Sequence, residues 1–127
     1  MKVFDASAIL ALLNQEPGAD TAARLMEEGD GIVSAANHAE VIAKLVDRGM
    51  TAQDIEALWS HLPLAVEPLT QATALAAGLL RRSTRALGLS LGDRCCLALA
   101  QQQPGTTVVT ADKAWKSLKS FRTTLIR

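Results

Sequence analysis

The sequence is poor in the residue types that several protein classes require. It has no tyrosine, its aromatic residues amount to 3% of the chain, and its 127 residues include two cysteines and four prolines. No apolar run reaches the ~18 residues of a membrane-spanning helix, so we expect no transmembrane segment. With so few aromatic residues, a stacking platform for single-stranded nucleic acid is not expected.

The two cysteines give no sign of a disulfide or a zinc site. Cys95 and Cys96 are adjacent, and neighbours on a helix point about 100° apart, so they cannot form an ordinary bridge or share a tetrahedral metal. This arrangement favours two small buried side chains in a reducing compartment.

What the sequence does contain is typical of one ordinary domain. Hydrophobic residues make up 49% of the chain and charged residues 20%, which excludes an intrinsically disordered protein and a collagen-like or disulfide-rich one. A chain of this length is the size of one domain, so we expect a single domain over residues 1–127. An acidic residue at Asp5 does not fit a secretory signal, and we therefore expect a cytoplasmic protein.

Charge is distributed unequally although the net charge is zero. Residues 1–63 contain four basic and ten acidic residues, whereas residues 64–127 contain nine basic and three acidic residues. Opposite charges on two halves are explained simply by mutual packing or by solvated helix faces. The alternative is a basic surface that faces a polyanion.

Short apolar runs alternate with longer helical patterns along the whole chain. They predict strands at Val3–Phe4, Ile32–Val33, Leu64–Val66, Thr107–Val109 and Thr123–Ile126. Helices are predicted over residues 7–14, 19–28, 35–48, 52–61, 71–87 and 91–103. On the third helix, the apolar spacing predicts a buried face made of Ala35, Ala39, Ile42 and Val46. This alternation predicts an α/β fold, an α/β/α sandwich around a mostly parallel sheet of four to five strands.

In open parallel sheets ligands bind beyond the carboxyl ends of the strands, so acids in those places are candidate site residues. Asp5 and Asp112 each follow a predicted strand, although a helix N-cap explains either residue taken alone. Asp93 begins the helix 91–103 on the same face as apolar residues, where a carboxylate needs compensation. A metal ion would supply it, and a capping box with Ser90 explains it equally well.

Glu40 has a strong local explanation that involves no function. It is spaced four residues from Lys44 on the helix 35–48, which predicts an exposed ion pair contributing roughly 0.3–0.5 kcal/mol. The case for a site rests instead on Asp5, Asp93 and Asp112 together, which the fold would bring to one rim of the sheet. Clustered carboxylates repel one another, and a hard divalent cation, Mg²⁺ or Mn²⁺, relieves that repulsion.

At this point the sequence resembles a PIN-domain ribonuclease of the VapC toxin type. Four segments carry the resemblance, and their order and spacing extend over nearly the whole chain: residues 3–8 (VFDASA), 34–40 (SAANHAE), 88–100 (GLSLGDRCCLALA) and 110–115 (TADKAW). The resemblance implies a PIN domain over residues 1–127 and a metal site built from Asp5, Glu40, Asp93 and Asp112. It also implies that Ser7 and Thr110 hold the neighbouring acids by hydrogen bonds.

The family resemblance also implies an activity and partners. The expected reaction is hydrolysis of an RNA phosphodiester by a water that Mg²⁺ or Mn²⁺ activates, leaving a 5′-phosphate and a 3′-hydroxyl. The expected partners are the RNA substrate, a cognate VapB-type antitoxin and a second copy of the chain in a homodimer. We expect Lys113 to contact phosphates and Trp115 to lie in the core. Arg81 and Arg82 are explained equally well as phosphate contacts and as a solvated helix end that complements the helix dipole.

Two other classes of function are compatible with parts of this pattern. An aspartate-based phosphotransferase or phosphatase would need a second aspartate two residues after Asp5, where this sequence has Ser7. A non-catalytic interaction domain would keep the fold and use Asp5 and Asp112 only as helix caps. It predicts no metal binding, which a thermal melt with and without Mn²⁺ would test.

Overall fold

The structure is a computed structural model that describes all residues from 1 to 127. Five strands form one sheet: β1 (Lys2–Phe4), β2 (Gly31–Ser34), β3 (Leu64–Glu67), β4 (Thr107–Thr110) and β5 (Arg122–Leu125). The seven α-helices are α1 (Ala6–Leu13), α2 (Ala19–Glu27), α3 (Ala35–Asp47), α4 (Ala52–Ser60), α5 (Gln71–Leu79), α6 (Arg81–Thr84) and α7 (Leu91–Gln101). Two 3-10 helices cover Arg85–Leu87 and Lys113–Ser117. No helix is long and apolar enough to cross a membrane.

The sheet is parallel throughout, with strand order β3-β2-β1-β4-β5. The chain builds β1, β2 and β3 toward one edge and then returns to add β4 and β5 on the other side of β1. The strand order therefore reverses between β1 and β4, and in open parallel sheets a ligand crevice is expected at such a point, outside the carboxyl ends of the strands. Asp5 and Asp112 follow these two strands, so the topology itself places them beside that crevice.

Alternate strand residues enter two separate hydrophobic cores, one on each face of the sheet. Phe4, Val33 and Val109 face a core shared with α1, α2, α3 and α4, whereas Val3, Ile32 and Val108 face a core shared with α5 and α7. This period of two follows from strand geometry. The predicted α/β/α sandwich with a parallel sheet is therefore confirmed, with five strands. Cys95, Cys96 and Trp115 are buried in the second core, as expected, and both cysteines are free.

The buried face predicted for α3 is wrong. Val46 is 54% exposed and Ala39 is also exposed, while the buried residues of α3 are Asn37, Val41 and Leu45. The predicted stripe contains only apolar residues, and the polar Asn37 lies outside it. In the structure, hydrogen bonds satisfy Asn37 in the interior, so the helix is turned toward Asn37.

The single long helix predicted over residues 71–87 is also wrong. It is divided at Leu80 into α5, α6 and the 3-10 helix Arg85–Leu87. The Ser83 and Thr84 hydroxyls both donate to the Leu80 carbonyl, at 3.3 and 2.7 Å. Such side-chain bonds bend helices, and the Leu80 carbonyl also keeps its bond from the Thr84 N–H at 3.1 Å.

Candidate active site

Asp5 ends β1 and begins α1, and it is 2% exposed. Its Oδ1 accepts a hydrogen bond from the Ala8 backbone N–H at 2.9 Å, so it is the N-cap that the sequence predicted. This cap uses only part of the carboxylate, which has room for about four hydrogen bonds. Capping therefore does not exclude a second role for this side chain.

Two hydroxyl groups hold the Asp5 carboxylate, one from the first turn of α1 and one from the end of β4. The Ser7 hydroxyl lies 2.8 and 2.9 Å from the two carboxylate oxygens, and the Thr110 hydroxyl donates to Oδ2 at 2.6 Å. In return, Ser7 Oγ accepts from the Ala111 N–H at 2.9 Å and Thr110 Oγ1 accepts from the Asp112 N–H at 3.0 Å. This network joins the end of β1 to the end of β4 and fixes the orientation of Asp5.

Ionisation of the Asp5 carboxyl is unfavourable in the folded protein. Burial raises the pKa of its carboxyl from 3.8 to about 6, and the negative charge of Asp93 adds to the rise. The hydrogen bonds from Thr110, Ala8 and Ser7 act in the opposite direction but do not cancel it. A group that is buried, held in place and costly to ionise is typical of functional sites.

Glu40 is held against α7 and forms no ion pair with Lys44, contrary to the local expectation. The Asn37 side-chain amide donates to Glu40 Oε2 at 2.8 Å and to the Gly92 carbonyl at 3.1 Å. The Ser34 hydroxyl donates to Asn37 Oδ1 at 2.9 Å and so fixes the amide. The Glu40 carboxylate lies directly against Gly92 and occupies the space that a Cβ at position 92 would need.

Asp93 forms a complete capping box at the start of α7. Ser90 Oγ accepts from the Asp93 N–H at 3.1 Å, and Asp93 Oδ2 accepts from the Ser90 N–H at 2.9 Å. Its charge nevertheless reaches the interior, because it contributes to the raised pKa of Asp5. The contacts of Asp93 therefore fit a capping residue, and its charge fits a member of the acidic group.

The charges of three of the four predicted acids act on the buried Cys96 thiol. Burial raises the pKa of this thiol well above its usual range, and the charges of Asp5, Asp93 and Glu40 raise it further. These acids lie at the N-cap of α1, within α3 and in the first turn of α7, so they are distant from one another along the chain. The fold thus concentrates negative charge beside the crevice between β1 and β4.

Asp112 lies at the edge of this group. Its side chain is exposed and caps the 3-10 helix Lys113–Ser117 by accepting from the Ala114 N–H at 2.9 Å. It is tied to Asp5 only through the Thr110 hydroxyl, which accepts from the Asp112 N–H. The structure therefore places Asp112 next to the site without bringing its carboxylate into the central group.

No three His, Cys, Asp or Glu side chains are arranged closely enough to hold a metal ion as they stand. The donor set nevertheless fits Mg²⁺ or Mn²⁺, since it consists of carboxylate oxygens with no histidine among them. The Asp93 and Asp112 carboxylates each accept a capping hydrogen bond from a backbone N–H, so both side chains would rotate away from that bond to coordinate a metal ion. Asp5 and Glu40 are already held in place by neighbouring donors.

The predicted phosphate contacts are all on the surface. Arg81, Arg82 and Lys113 are exposed and form no salt bridge. Lys113 directly follows Asp112, whereas no contact joins Arg81 or Arg82 to the acidic group. Their role in substrate binding stays a prediction.

Asn37 and Gly92 are positioning residues that the sequence analysis missed. Asn37 is fully buried and Gly92 is buried in the first turn of α7. One signal was present, since Asn37 precedes Glu40 by three residues, a spacing that brings side chains together on a helix. Nothing local indicated Gly92, because its contact with Glu40 crosses between two helices.

Replacing Thr110 by valine tests the hydroxyl network. Thr110→Val removes a donor to Asp5 and an acceptor for the Asp112 N–H, so we expect unfolding to become easier by about 1–3 kcal/mol. Loss of the donor should also raise the pKa of Asp5 above about 6. A ¹³C NMR titration of the Asp5 carboxyl carbon and a thermal melt would measure both effects.

Thr107→Val is the matched control, on the same strand at its other end. Thr107 forms no side-chain hydrogen bond, and its substitution should leave the pKa of Asp5 unchanged. A Thr110→Val protein whose Asp5 titrates as in the wild type would show that this hydroxyl does not support the carboxylate.

Comparison with known proteins identifies the class of this fold and site. The family model described as "PIN domain" matches residues 2–120, and the chain belongs to this family. The resemblance found in the sequence is thus confirmed. A comparison with proteins of curated function finds no significant match.

Several solved structures share the fold at low sequence identity. A chain of "Toxin-antitoxin complex from Klebsiella pneumoniae" is 18% identical, with a TM-score of 0.76 over 100% of this chain and 98% of that one. A chain of "Crystal structure of DNA bound VapBC from Salmonella typhimurium" is 16% identical, with a TM-score of 0.73 over 99% and 98%. One from FitAcB of Neisseria gonorrhoeae is 18% identical, with a TM-score of 0.69 over 99% and 98%.

Proposed function

We propose that this protein is a Mg²⁺- or Mn²⁺-dependent endoribonuclease that acts as the toxin of a toxin–antitoxin pair. The observation that carries the proposal is the buried Asp5 carboxylate, which the Ser7 and Thr110 hydroxyls hold in place at the carboxyl end of β1. Burial and the charge of Asp93 oppose its ionisation, and a bound cation would relieve both. Membership of the PIN family and a fold shared with chains of toxin–antitoxin complexes support the same function.

In this mechanism four carboxylates hold the metal, and neighbouring hydroxyl groups orient Asp5. Asp5, Glu40, Asp93 and Asp112 would hold the metal, which when bound would lower the pKa of a water molecule and stabilise charge at the phosphate. Ser7 and Thr110 orient Asp5.

Other residues orient the remaining groups or bind substrate. Asn37 orients Glu40, while Lys113 would bind a phosphate beside Asp112. Arg81 and Arg82 would bind phosphates farther along the strand. His38 contacts Trp59, with ring centroids 4.2 Å apart, so this ring is engaged in packing, and no histidine pair is assigned to acid–base catalysis.

The proposed partners follow from the same assignment. The related folds were solved in complexes described as toxin–antitoxin or VapBC, which supports a VapB-type antitoxin as the partner of this chain. A homodimer is proposed as well. On α5, Leu75 is 65% and Leu79 is 72% exposed, and exposed apolar residues of this size favour a protein contact. A cytoplasmic location fits an RNA substrate and two free cysteines.

A non-catalytic interaction domain is the second candidate, and one observation favours it. Asp5, Asp93 and Asp112 all cap helices, which gives each of them a purely structural role. The phosphatase alternative is weaker, because Ser7 occupies the place of its second aspartate and bonds to Asp5 instead.

A thermal melt with low-millimolar Mn²⁺ separates these functions. We expect Mn²⁺ to raise the melting temperature of the wild type. At a Mn²⁺ concentration a hundred times its dissociation constant, the free energy of unfolding should increase by about 2.7 kcal/mol. Asp93→Asn should abolish this rise, since an amide can still cap α7 but is a much poorer ligand for a hard cation. RNA cleavage in the presence of Mn²⁺ should be lost in parallel.

Asp54→Asn is the matched control for this experiment. Asp54 has the same position in α4, three residues after its N-cap Thr51, and it is exposed. It should keep both the Mn²⁺ response and the cleavage. If Mn²⁺ leaves the wild-type melt unchanged, the metal site is wrong and the interaction domain is the better assignment.

A further inference from the structure

The basic half of the chain carries cations that no carboxylate neutralises. Of its nine basic residues, only Arg127 forms a salt bridge. Lys113, Lys116, Lys119 and Arg122 are all exposed and follow Asp112 along one segment. Unpaired cations along one segment make a positive surface that attracts a polyanion.

This segment borders a cleft that the proposed mechanism does not use. Two depressions, of about 320 and 360 Å³, share Gln101, Ser120 and Phe121 as lining residues, and we describe them together as one cleft. It runs between α6, the end of α7 and residues 117–122, and we refer to it as the 117–122 cleft. None of its lining residues is acidic, and Lys119 and Arg122 lie on opposite parts of it.

The chemistry of the lining matches a single nucleic acid strand. Lysine and arginine bind phosphates, while the Gln101 amide and the Ser120 hydroxyl offer hydrogen bonds to sugars or base edges. Phe121 is half-buried and offers one aromatic side chain on which a base can stack.

One end of the cleft, at Ser117, lies along the chain from Asp112, and the other lies at the amino ends of β4 and β5, where Arg122 pairs with Thr107. The 3-10 helix Lys113–Ser117 connects Asp112 to the cleft, and five residues at ~2.0 Å per residue span about 10 Å. Lys113 and Lys116 lie exposed on this connection. A strand held in the cleft could therefore continue along this helix to the candidate site.

We infer that the 117–122 cleft binds the part of the RNA substrate that extends beyond the cleaved phosphate, with Lys119 and Arg122 on its backbone. This rests on the proposed ribonuclease function for the choice of RNA. It adds a distal binding region that sets affinity, whereas the acidic group sets the chemistry.

Charge reversal in the cleft tests the inference. Lys119→Glu and Arg122→Glu should each weaken binding of a fluorescein-labelled 20-nucleotide single-stranded RNA about tenfold, measured by anisotropy in EDTA. Each lost phosphate contact should also reduce the slope of log affinity against log salt by about 0.7. In Mn²⁺, the KM for cleavage should rise by a similar factor while kcat is retained.

Arg48→Glu is the matched control, an exposed, unpaired cation at the end of α3. It should change RNA affinity less than twofold and leave the salt slope unaltered. If the cleft variants bind RNA as this control does, or if the wild type binds no RNA, the inference is overturned. Because binding is measured in EDTA, a wild type that binds through the cleft but cleaves nothing would disprove the ribonuclease and leave the cleft intact.

Discussion

At pH 8 and without divalent metal, the Asp5→Asn variant is expected to unfold about 10 °C above the wild-type protein. Ionising Asp5 opposes folding, because its pKa is 3.8 when exposed and about 6 in the folded protein. A difference of about two units corresponds to about 3 kcal/mol. The asparagine removes this charge but can still accept the hydrogen bond from the Ala8 N–H that caps α1.

The pH dependence of this difference is specific. Below pH 3.8 the carboxyl is protonated in both the folded and unfolded states, so it has no effect on stability. Between pH 3.8 and about 6 the unfolded chain ionises first, and the wild type loses stability as the pH rises. The advantage of Asp5→Asn should therefore be about half as large at pH 5 as at pH 8, and constant above about pH 7.

Asp54→Asn removes an exposed carboxylate from the start of α4 and should change the melting temperature little at either pH. An Asp5→Asn protein that is less stable than the wild type at pH 8 would mean that the ionised cap stabilises the fold. Asp5 would then have no need of a cation, and the main argument for a metal site would fail.

Local sequence was sufficient for the sheet and for the acids that follow its strands. The strands β2 and β4 are short runs rich in β-branched residues, which favour the buried strands of a parallel sheet. The topology then puts Asp5 and Asp112 beside the same crevice. These features need only the order of the elements, which the sequence displays directly.

The environment of Glu40 could not be predicted from local patterns. The buried face of α3 includes Asn37, whose hydrogen-bond partner Gly92 is 55 residues away, so periodicity alone favoured the wrong stripe. Glu40 was then matched with Lys44, and only the family resemblance indicated a site. The end of α5 at Leu80 could not be predicted from apolar periodicity either, because that pattern does not include the Ser83 and Thr84 hydroxyls that bond to the Leu80 carbonyl.

The Gly92→Ala variant is expected to lose at least ~100-fold in RNA cleavage while remaining fully folded. The added methyl group would overlap the Glu40 carboxylate, which is the flexible end of a side chain and can swing away. Alanine is also the better helix former, by up to about 1 kcal/mol, so the melting temperature should hold or rise. The displaced Glu40 would no longer be available to a metal, and the Mn²⁺ response should shrink with the activity.

Gly78→Ala separates the two effects of this substitution. Gly78 lies in α5, where an added Cβ meets no atom within 4 Å, so alanine there should stabilise the helix and leave cleavage unchanged. Because both variants make the same chemical change in a helix, only the position of Glu40 distinguishes them. A Gly92→Ala protein with full cleavage and a full Mn²⁺ response would remove Glu40 from the metal site. One that fails to fold would show instead that Asn37 and Ser34 hold Glu40 too firmly for it to move.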